Sequence, residues 1–357
     1  MLPGVGDILA KNLVAYCGSA EAVFKEKKQA LAKIPGIGSA TAAKISSAKP
    51  LQRAEEELRF VQEKNVQLFF YLDNDYPKRL KHCSDGPILL YYKGNASLNP
   101  DRALAMVGTR NATAHGKQLT EKLVESLKPY HASVISGLAY GIDITAHKAA
   151  VDHNVPTIGV LAHGLDRIYP ALHTKIADQM LENGGLLTEL PSGTNPDREN
   201  FPKRNRIIAG MTDATIVVEA AAKGGALITA EIAHGYNRDV FAVPGRPDDV
   251  YSAGCNKLIY LNKAAILRSA KDFEFYLNWE SEKDAAKKQD QTKLFIDVAP
   301  EEEPITEVLR VNGKTHIDAL CQKAGLPISQ TVQLLFSLEL KGAIRTHPGK
   351  VYEWLGP

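Results

Sequence analysis

The sequence predicts an α/β protein built on a Rossmann-like, doubly wound parallel sheet, with a small all-α domain before the sheet and a winged-helix domain after it. Short β-branched or apolar runs recur between residues 103 and 270, and segments of helical periodicity lie between most of them. Such alternation of strands and helices is typical of a parallel sheet covered by helices on both faces. The 357 residues, 44% of them hydrophobic, are enough for two or three folded domains.

An internal repeat marks the N-terminal domain. LPGVG at residues 2–6 and IPGIG at residues 34–38 each precede a helix-like stretch, DILAKNLVAYCG and SATAAKISSA. Glycines at the start of a helix leave backbone amides bare, and such amides can approach a phosphate. The repeat resembles paired helix-hairpin-helix (SAM-like) units, although the glycines could equally serve only as tight turns. We assign residues 1–63 to this domain and to a charged helix predicted over residues 50–63.

The core domain is predicted over residues 64–280. An apolar strand, QLFFYL, comes first, and the strands expected after it are ALAMVG 103–108, SVISG 133–137, PTIGVLA 156–162, LLTEL 186–190, ATIVVEA 214–220, DVFAVPG 239–245 and AAILRS 264–269. In folds of this kind, ligands bind outside the carboxyl ends of the strands. The residues that follow each strand are therefore the ones to search for a site.

A charged segment, residues 281–303, is poor in core-forming residues and is predicted to be a linker. Residues 304–357 have the pattern of a winged-helix domain, with a helix, a helix-turn-helix and a terminal hairpin. The predicted recognition helix offers Gln330, Thr331 and Gln333, but it also carries Glu339 and almost no cations. Because binding to DNA phosphates needs Lys or Arg, this composition favours a protein-contact or structural role.

Composition excludes several classes of protein. The formal net charge is only +2, so a site for a polyanion must be a local concentration of cations. The four cysteines are widely spaced, which indicates reduced thiols in a cytoplasmic protein, not disulfides or a zinc site. The sequence has no apolar run of membrane-spanning length, no signal-peptide pattern and no histidine spacing for a metal. We expect neither a metal nor another cofactor.

Four strand ends carry glycine turns, helix starts or cations. The candidate residues are Gly108, Thr109 and Arg110 after ALAMV, Ser136 and Gly137 after SVI, Arg198, Phe201, Lys203, Arg204, Asn205 and Arg206 in the loop after LLTE, and Lys223, Gly224 and Gly225 after TIVVE. Bare amides at a helix start, together with neighbouring arginines, form an anion site.

The anion is not a dinucleotide or a nucleoside triphosphate bound in the usual loops. The turn at Gly108 lacks the G-x-G-x-x-G pattern, and SGLAYGID lacks the G-K-[ST] of a P-loop. One mononucleotide cannot occupy four strand ends, whereas a strand of nucleic acid can. Single strands are bound by a cationic groove with aromatic platforms, and Phe201 offers such a platform.

Several of these residues have structural alternatives. Arg110 could pair with Glu189 instead of an external anion. Arg204 and Arg206 flank a helix start, where cations oppose the helix dipole; a purely structural role for both is therefore disfavoured, but one of them could form an internal salt bridge. Phe201 adjoins a proline and could belong to the core. The sequence favours exposed positions for Arg110, Arg204 and Arg206, with Ile207 and Ile208 anchoring the arginines in the core.

Seven ordered motifs resemble the DNA-processing protein A (DprA, or Smf) family: VGTR, ISGLAYGIDITAH, TIGVLAHGLDRIYP, FPKRNRIIAGM, VVEA, GGALITAEIA and VFAVPG. The resemblance covers essentially the whole chain. It implies a core that binds single-stranded DNA, forms a homodimer and delivers the strand to the RecA recombinase during natural transformation.

The resemblance also assigns site residues. The family's Gly-Ser-Arg site corresponds to Gly108, Thr109 and Arg110, with threonine in place of serine, and its Phe-Pro-x-Arg-Asn-Arg motif begins at Phe201. A lysine frequent after the Tyr-Pro motif is absent, since Ala171 follows Pro170. Arg167 or Lys175 could take its place, and we include Arg167 among the candidate DNA-binding residues.

The alternative function is enzymatic. Nucleotide phosphoribohydrolases of the lysine decarboxylase-like group share this type of Rossmann fold and carry Gly-Gly-x-Gly-Thr-x-x-Glu. Gly224, Gly225 and Glu231 match this motif, but Leu227 and Ile228 replace the inner Gly-Thr and remove its tight phosphate turn. A hydrolase also needs a carboxylate placed at the sugar. We therefore expect no catalytic residues and favour a binding protein.

Overall fold

The computed structural model describes residues 4–47, 50–279, 298–347 and 350–356. The described residues up to Trp279 form one compact unit, and those from residue 298 onward form a second. The predicted fold class is confirmed, since the first unit contains a large, mostly parallel sheet with helices on both faces and the second is a winged helix.

Five helices open the chain: α1 (Asp7–Cys17), α2 (Ala20–Lys25), α3 (Lys28–Leu31), α4 (Ser39–Ser47) and α5 (Pro50–Glu63). Both glycine turns lead into a helix as expected, because α1 follows Gly6 and α4 follows Gly38. Gly4 and Gly36 have left-handed backbone angles, φ +86° and +83°, which favour glycine. Residues 2–3 of the first repeat lie outside the described residues.

Nine strands form the central sheet: β1 (Gln67–Phe70), β2 (Leu89–Gly94), β3 (Ala103–Val107), β4 (Ser133–Gly137), β5 (Thr157–Val160), β6 (Gly184–Thr188), β7 (Ala214–Val217), β8 (Asp239–Ala242) and β9 (Ala265–Ile266). Their order across the sheet is β1-β2-β6-β5-β4-β3-β7-β8-β9. The seven strands from β3 to β9 run parallel to one another, and each overlaps a predicted strand.

One edge of the sheet differs from the prediction. β2 was not predicted, and it pairs antiparallel with both β1 and β6, with Tyr92 opposite Leu187. The side chains of Leu90, Tyr91 and Tyr92 are all buried, so β2 lacks the alternation of apolar and polar residues that identifies a half-exposed strand.

Eight helices accompany the sheet: α6 (Lys78–Lys81), α7 (Ala114–Glu125), α8 (Ile142–Asp152), α9 (Thr174–Met180), α10 (Asn200–Gly210), α11 (Gly225–Gly235), α12 (Ala253–Tyr260) and α13 (Ala270–Leu277). α10 and α11 pack on one face through residues such as Ile207 and Ala230. α7 and α8 pack on the other face through residues such as Leu123 and Ala146. This two-sided covering is what defines a doubly wound sheet.

The second unit contains α14 (Glu303–Asn312), β10 (Thr315–His316), α15 (Ile317–Ala324), α16 (Ile328–Leu340), β11 (Ile344–His347) and β12 (Val351–Trp354), and its strands lie in the order β10-β12-β11. Thr331, expected to be available on the recognition helix α16, is wholly buried, so that expectation is wrong. Of the predicted linker, residues 281–297 lie outside the described residues.

All four cysteines are free thiols. Among the described residues, no helix combines the length and apolar character that a membrane crossing requires.

Candidate functional site

The turn after β3 is fixed from both sides. A Cβ atom at Gly108 would lie 2.3 Å from Cγ1 of Ile142, so only glycine fits there. The Thr109 amide donates a hydrogen bond of 2.7 Å to the Glu219 carbonyl, and the Ile142 amide donates one of 3.2 Å to the Thr109 carbonyl. These contacts hold the next residue, Arg110, at the carboxyl edge of the sheet with its side chain exposed.

Arg110 packs against an aromatic pair. Its guanidinium carbon lies 5.5 Å from the ring centroid of Phe201, within the range of a cation–π interaction. The Phe201 ring is in turn 6.1 Å from the ring of Tyr169, which is 48% exposed. Within the described residues, the Arg110 guanidinium forms no salt bridge, so the alternative of a pair with Glu189 is not observed. Its charge is available to an external anion.

Arg204 is not exposed as expected. Only 6% of the residue is accessible, and its guanidinium donates hydrogen bonds to the Val160 carbonyl and to Oδ1 of Asn205. Burial lowers the pKa of Arg204 to about 10, and the neighbouring Asp143 carboxylate opposes this shift. Burial also raises the pKa of Asp143, with Arg204 opposing. Arg204 is therefore a buried cation with an internal counter-ion.

Arg206 is also enclosed, contrary to expectation. Its Nη2 atom lies 2.6 Å from Oε2 of Glu189 and 2.8 Å from Oδ2 of Asp7, and only 13% of its side chain is exposed. Burial lowers the pKa of Arg206, but the two carboxylates more than offset that effect and the net shift is upward. The possibility of one internal salt bridge is thus confirmed, and this salt bridge joins α10 to α1 and to the end of β6.

Ser136 and Gly137 are buried, although both end a strand. The Ser136 hydroxyl donates a hydrogen bond of 2.5 Å to the Met106 carbonyl, and the side chain has no exposed surface. A Cβ atom at Gly137 would lie 2.6 Å from Nη2 of Arg204 and from Oδ2 of Asp143. Neither residue can reach an external ligand, so their assignment to a binding surface is wrong.

The start of α11 is open. Lys223, Gly224 and Gly225 are exposed, and nothing lies within 4 Å of the position that a Cβ atom would take at Gly224. Packing therefore does not require glycine at this position. The absence of a side chain leaves the backbone amides at the start of the helix uncovered. Nδ2 of Asn205 donates a hydrogen bond of 3.4 Å to the Gly225 carbonyl and so ties α10 to this turn.

A groove of about 1070 Å³ brings most of the candidates together. We use the term groove for this depression, whose candidate residues are Gly108, Thr109, Arg110, Arg198, Phe201, Arg204, Asn205, Lys223, Gly224 and Gly225. The side chains of Arg198 and Lys223 have no hydrogen-bond or ion-pair partner in the part of the chain that the structure describes. Among the described residues, the groove therefore has three exposed cations that form no salt bridge, the third being Arg110.

Besides the enclosed Ser136, Gly137 and Arg206, two further candidates lie outside the groove. Arg167 is bonded to the Asp166 carboxylate at 2.8 Å and to Oδ1 of Asn195 at 2.7 Å. Lys203 is exposed on α10 but does not line the depression.

Two groove residues were missed. Tyr169 stands in the IYP motif, where an aromatic residue beside a proline gives no sign of exposure. Asp143 lies in the first turn of α8, where an aspartate is typical of helix capping and gives no sign that it is the counter-ion of Arg204.

The fold and the groove together define a class: doubly wound α/β proteins with a cationic and aromatic groove at the carboxyl edge of the sheet and a separate winged-helix unit. The profile of DNA recombination-mediator protein A matches residues 67–277, and that of the DprA winged helix domain matches residues 286–350. The chain belongs to the DprA family.

Relatives and solved structures agree with this membership. Protein Smf of Synechocystis is 39% identical over 272 residues, which are 74% of this chain and 67% of the relative; Protein Smf of Escherichia coli is 35% identical, over 84% and 80%. The structure of DprA from Streptococcus pneumoniae has a TM-score of 0.68 at 32% identity and covers 78% of this chain and 94% of its own. DNA processing protein A from Helicobacter pylori, studied for its single-stranded DNA binding mode, has a TM-score of 0.55 at 29% identity, over 61% and 99%.

Proposed function

We propose that this protein binds single-stranded DNA along the groove, without catalysis, and passes the strand to the RecA recombinase during natural transformation or homologous recombination. The observation that carries the proposal is the arrangement of Arg110: a cation that forms no salt bridge among the described residues, stacked on Phe201, at the edge of the groove. The Helicobacter pylori relative, for which binding of single-stranded DNA is described, supports the choice of ligand.

The groove residues have two different roles in binding, contact with phosphates and stacking on bases. Arg110, Arg198 and Lys223 supply charge for three backbone phosphates, and the amides at Gly224 and Gly225 add donors without charge. Phe201 and Tyr169 offer ring faces on which bases stack, and stacking requires bases that are not already paired in a duplex. Cations and aromatic rings in one groove therefore favour a single strand over a duplex.

The carboxylates in the groove are poorly placed for hydrolysis. Asp143 is buried beside Arg204, and both carboxylate oxygens of Glu231 accept hydrogen bonds of 2.8 Å from Nζ of Lys263. A carboxylate engaged in this way is a weak general base. This supports a binding protein over a phosphoribohydrolase. Incubation with purine monophosphates tests the point, since release of free base would overturn it.

Fluorescence anisotropy with oligo-dT and with a duplex of equal length, across a salt series, tests the binding function. Each phosphate neutralised on a single strand changes the slope of log K against log salt by about −0.7. With three free cations in the groove, a short oligo-dT should give a slope of roughly −2. A duplex should bind more weakly at every salt concentration. Equal or tighter binding of the duplex would contradict the proposal.

The proposed partners are RecA and a second copy of this chain, in the cytoplasm. The protein should sediment as a dimer at micromolar concentration, and it should promote RecA filaments on strands already coated by single-strand-binding protein. A monomer with no effect on RecA strand exchange would count against both partners.

The winged-helix unit is proposed to contact protein. The outer face of α16 presents Ile328, Val332, Phe336 and Leu340, which are 53%, 48%, 62% and 74% exposed. These residues are four apart, so they form one apolar stripe along the helix, and such a stripe cannot neutralise phosphate.

The proposed domain boundaries are those expected from the sequence: residues 1–63 for the helical domain and its connecting helix, 64–280 for the core, 281–303 for the linker and 304–357 for the winged-helix domain.

A further inference from the structure

Arg110 lines a second depression besides the groove. This cleft, of about 470 Å³, lies between α7 and α8 and is lined by Lys117 from α7, by Lys148 from α8, and by Tyr140 and Leu172 from the adjoining loops. The cleft and the groove share the Arg110 side chain. Arg110 is therefore within reach of a ligand in either depression.

The charge of the cleft is positive and available. Lys117 and Lys148 are exposed, and neither ammonium group has an ion-pair or hydrogen-bond partner among the residues that the structure describes. With Arg110 they give three cations, against one lining carboxylate, that of Glu121. Lys117 lies in the first turn of α7, where the helix dipole disfavours a cation. Local helix stability therefore does not account for this lysine.

The cleft also has a fixed aromatic ring. Tyr140 is 45% exposed, and its ring meets the ring of His173 edge-on at a centroid distance of 4.9 Å. His173 is buried, and its Nδ1 atom lies 2.8 Å from the Leu138 carbonyl, which can only accept a hydrogen bond. The imidazole of His173 is thus held in place against one side of the Tyr140 ring. The exposed part of the Tyr140 ring remains open to a ligand.

We propose that the cleft is a second single-strand subsite, continuous with the groove through Arg110, in which Lys117 and Lys148 contact backbone phosphates and Tyr140 stacks on a base. Cations that follow a backbone, with an aromatic ring between them, are the chemistry that single strands require. The inference rests on the proposed binding of single-stranded DNA in the groove, and it adds a path for the strand on the opposite side of Arg110.

The test is a ladder of oligo-dT lengths, from dT4 to dT24, bound to the full chain and to its Lys117→Gln/Lys148→Gln variant in a salt series. Oligonucleotides that fill only the groove should bind both proteins equally. Above a threshold length, the variant should have a salt slope smaller by about 1.4, the contribution of two phosphates. Between 50 and 200 mM salt, the wild type should then lose about sevenfold more affinity than the variant, since 4 to the power 1.4 is about 7.

A matched control removes the same charge from the far end of the same region. Lys122→Gln/Lys128→Gln alters exposed lysines at the end of α7 and just after it, away from the carboxyl edge of the sheet, and should behave as the wild type at every length. Tyr140→Ala should weaken the binding of long oligonucleotides without changing the salt slope, whereas Tyr140→Phe should bind them as tightly as the wild type. A thermal melt of each variant checks that it is folded.

The outcomes separate the two proposals. If the wild type binds no oligo-dT of any length, the binding function itself fails. If the wild type binds, but the Lys117/Lys148 variant keeps the wild-type slope at all lengths, the subsite is wrong while the groove stands. If the variant loses the same affinity for every oligonucleotide, dT4 included, the subsite is also wrong, because the lysines would then act on a strand in the groove.

Discussion

Arg206→Met should destabilise the folded chain and leave its affinity for single-stranded DNA nearly unchanged. The methionine keeps most of the apolar stem and removes the guanidinium that lies between the carboxylates of Glu189 and Asp7. Those carboxylates would then face each other without a cation. Arg206 does not line the groove, so the variant removes no phosphate contact there.

The size of the effect follows from burial. Removing one partner of a buried ion pair costs about 3–5 kcal/mol. Asp7 keeps 26% of its side chain exposed, and water partly compensates it, so we expect a loss of about 2–4 kcal/mol in the free energy of unfolding. For a unit of this size, that loss corresponds to a decrease in Tm on the order of 3–7 °C.

The assay pairs thermal and urea unfolding with oligo-dT anisotropy. Arg198→Met is the matched control, since this arginine is exposed in the groove and unpaired among the described residues. It should show the reverse pattern, with an unchanged Tm and a weaker, less salt-dependent binding. The reasoning is refuted if Arg206→Met melts with the wild type and lowers the salt slope instead.

The destabilisation should also depend on pH. Burial raises the pKa of Glu189 above its ordinary 4.5, and Arg206 opposes this shift. A carboxyl group whose pKa is higher in the folded state takes up protons on folding, so its contribution to stability falls as the pH rises from about 4.5 through the folded pKa. Without Arg206 the pKa rises further. The stability deficit of Arg206→Met should therefore be larger at about pH 8 than at about pH 5, and a deficit that shrinks with rising pH would contradict this.

Four other variants test the groove and the packing beneath it. Arg110→Ala should weaken oligo-dT binding by about 1.5–3 kcal/mol and reduce the magnitude of the salt slope by about 0.7; unaltered binding would refute the site. Phe201→Ala should cost about 1–3 kcal/mol of affinity with the slope unchanged, and loss of folding instead would show a core role. Gly137→Ala should destabilise the fold by about 1–3 kcal/mol, because its methyl group meets the Arg204 guanidinium; Gly224→Ala, in open space, should melt like the wild type.

The sequence was most informative for elements that can form only a few structures with a given pattern of apolar residues. All seven parallel strands were predictable, because a buried parallel strand is a short apolar run and a helix must follow it. The β2 strand was not predicted. Its residues are buried and show no alternation, and no local sequence signal specifies its antiparallel pairing with β6. Gly108 and Arg110 follow one strand, Gly224 follows another, and all three line one groove, because parallel strands end at one edge of the sheet.

The same rule failed inside the site for a geometric reason. Ser136 and Gly137 do follow the pattern of a strand end, but the Arg204 side chain lies over that end and covers it. Which residue covers a strand end depends on contacts between elements distant in the sequence. Arg206 is a similar case, because its partner Asp7 is on the N-terminal helix and is remote in the chain.

The stretch around α10 shows why neighbouring cations have different fates. Successive residues of an α-helix point about 100° apart, so a cluster of cations in the sequence is distributed over all sides of the helix. Ile207 and Ile208 fix the rotation of α10 by entering the core. With the rotation fixed, Arg204 must point into the protein beneath the groove and Arg206 toward α1, and each meets an internal carboxylate. The anions beside Arg204 and Arg206 are therefore the protein's own aspartate and glutamate side chains, while the exposed cations that line the groove come from residues outside α10.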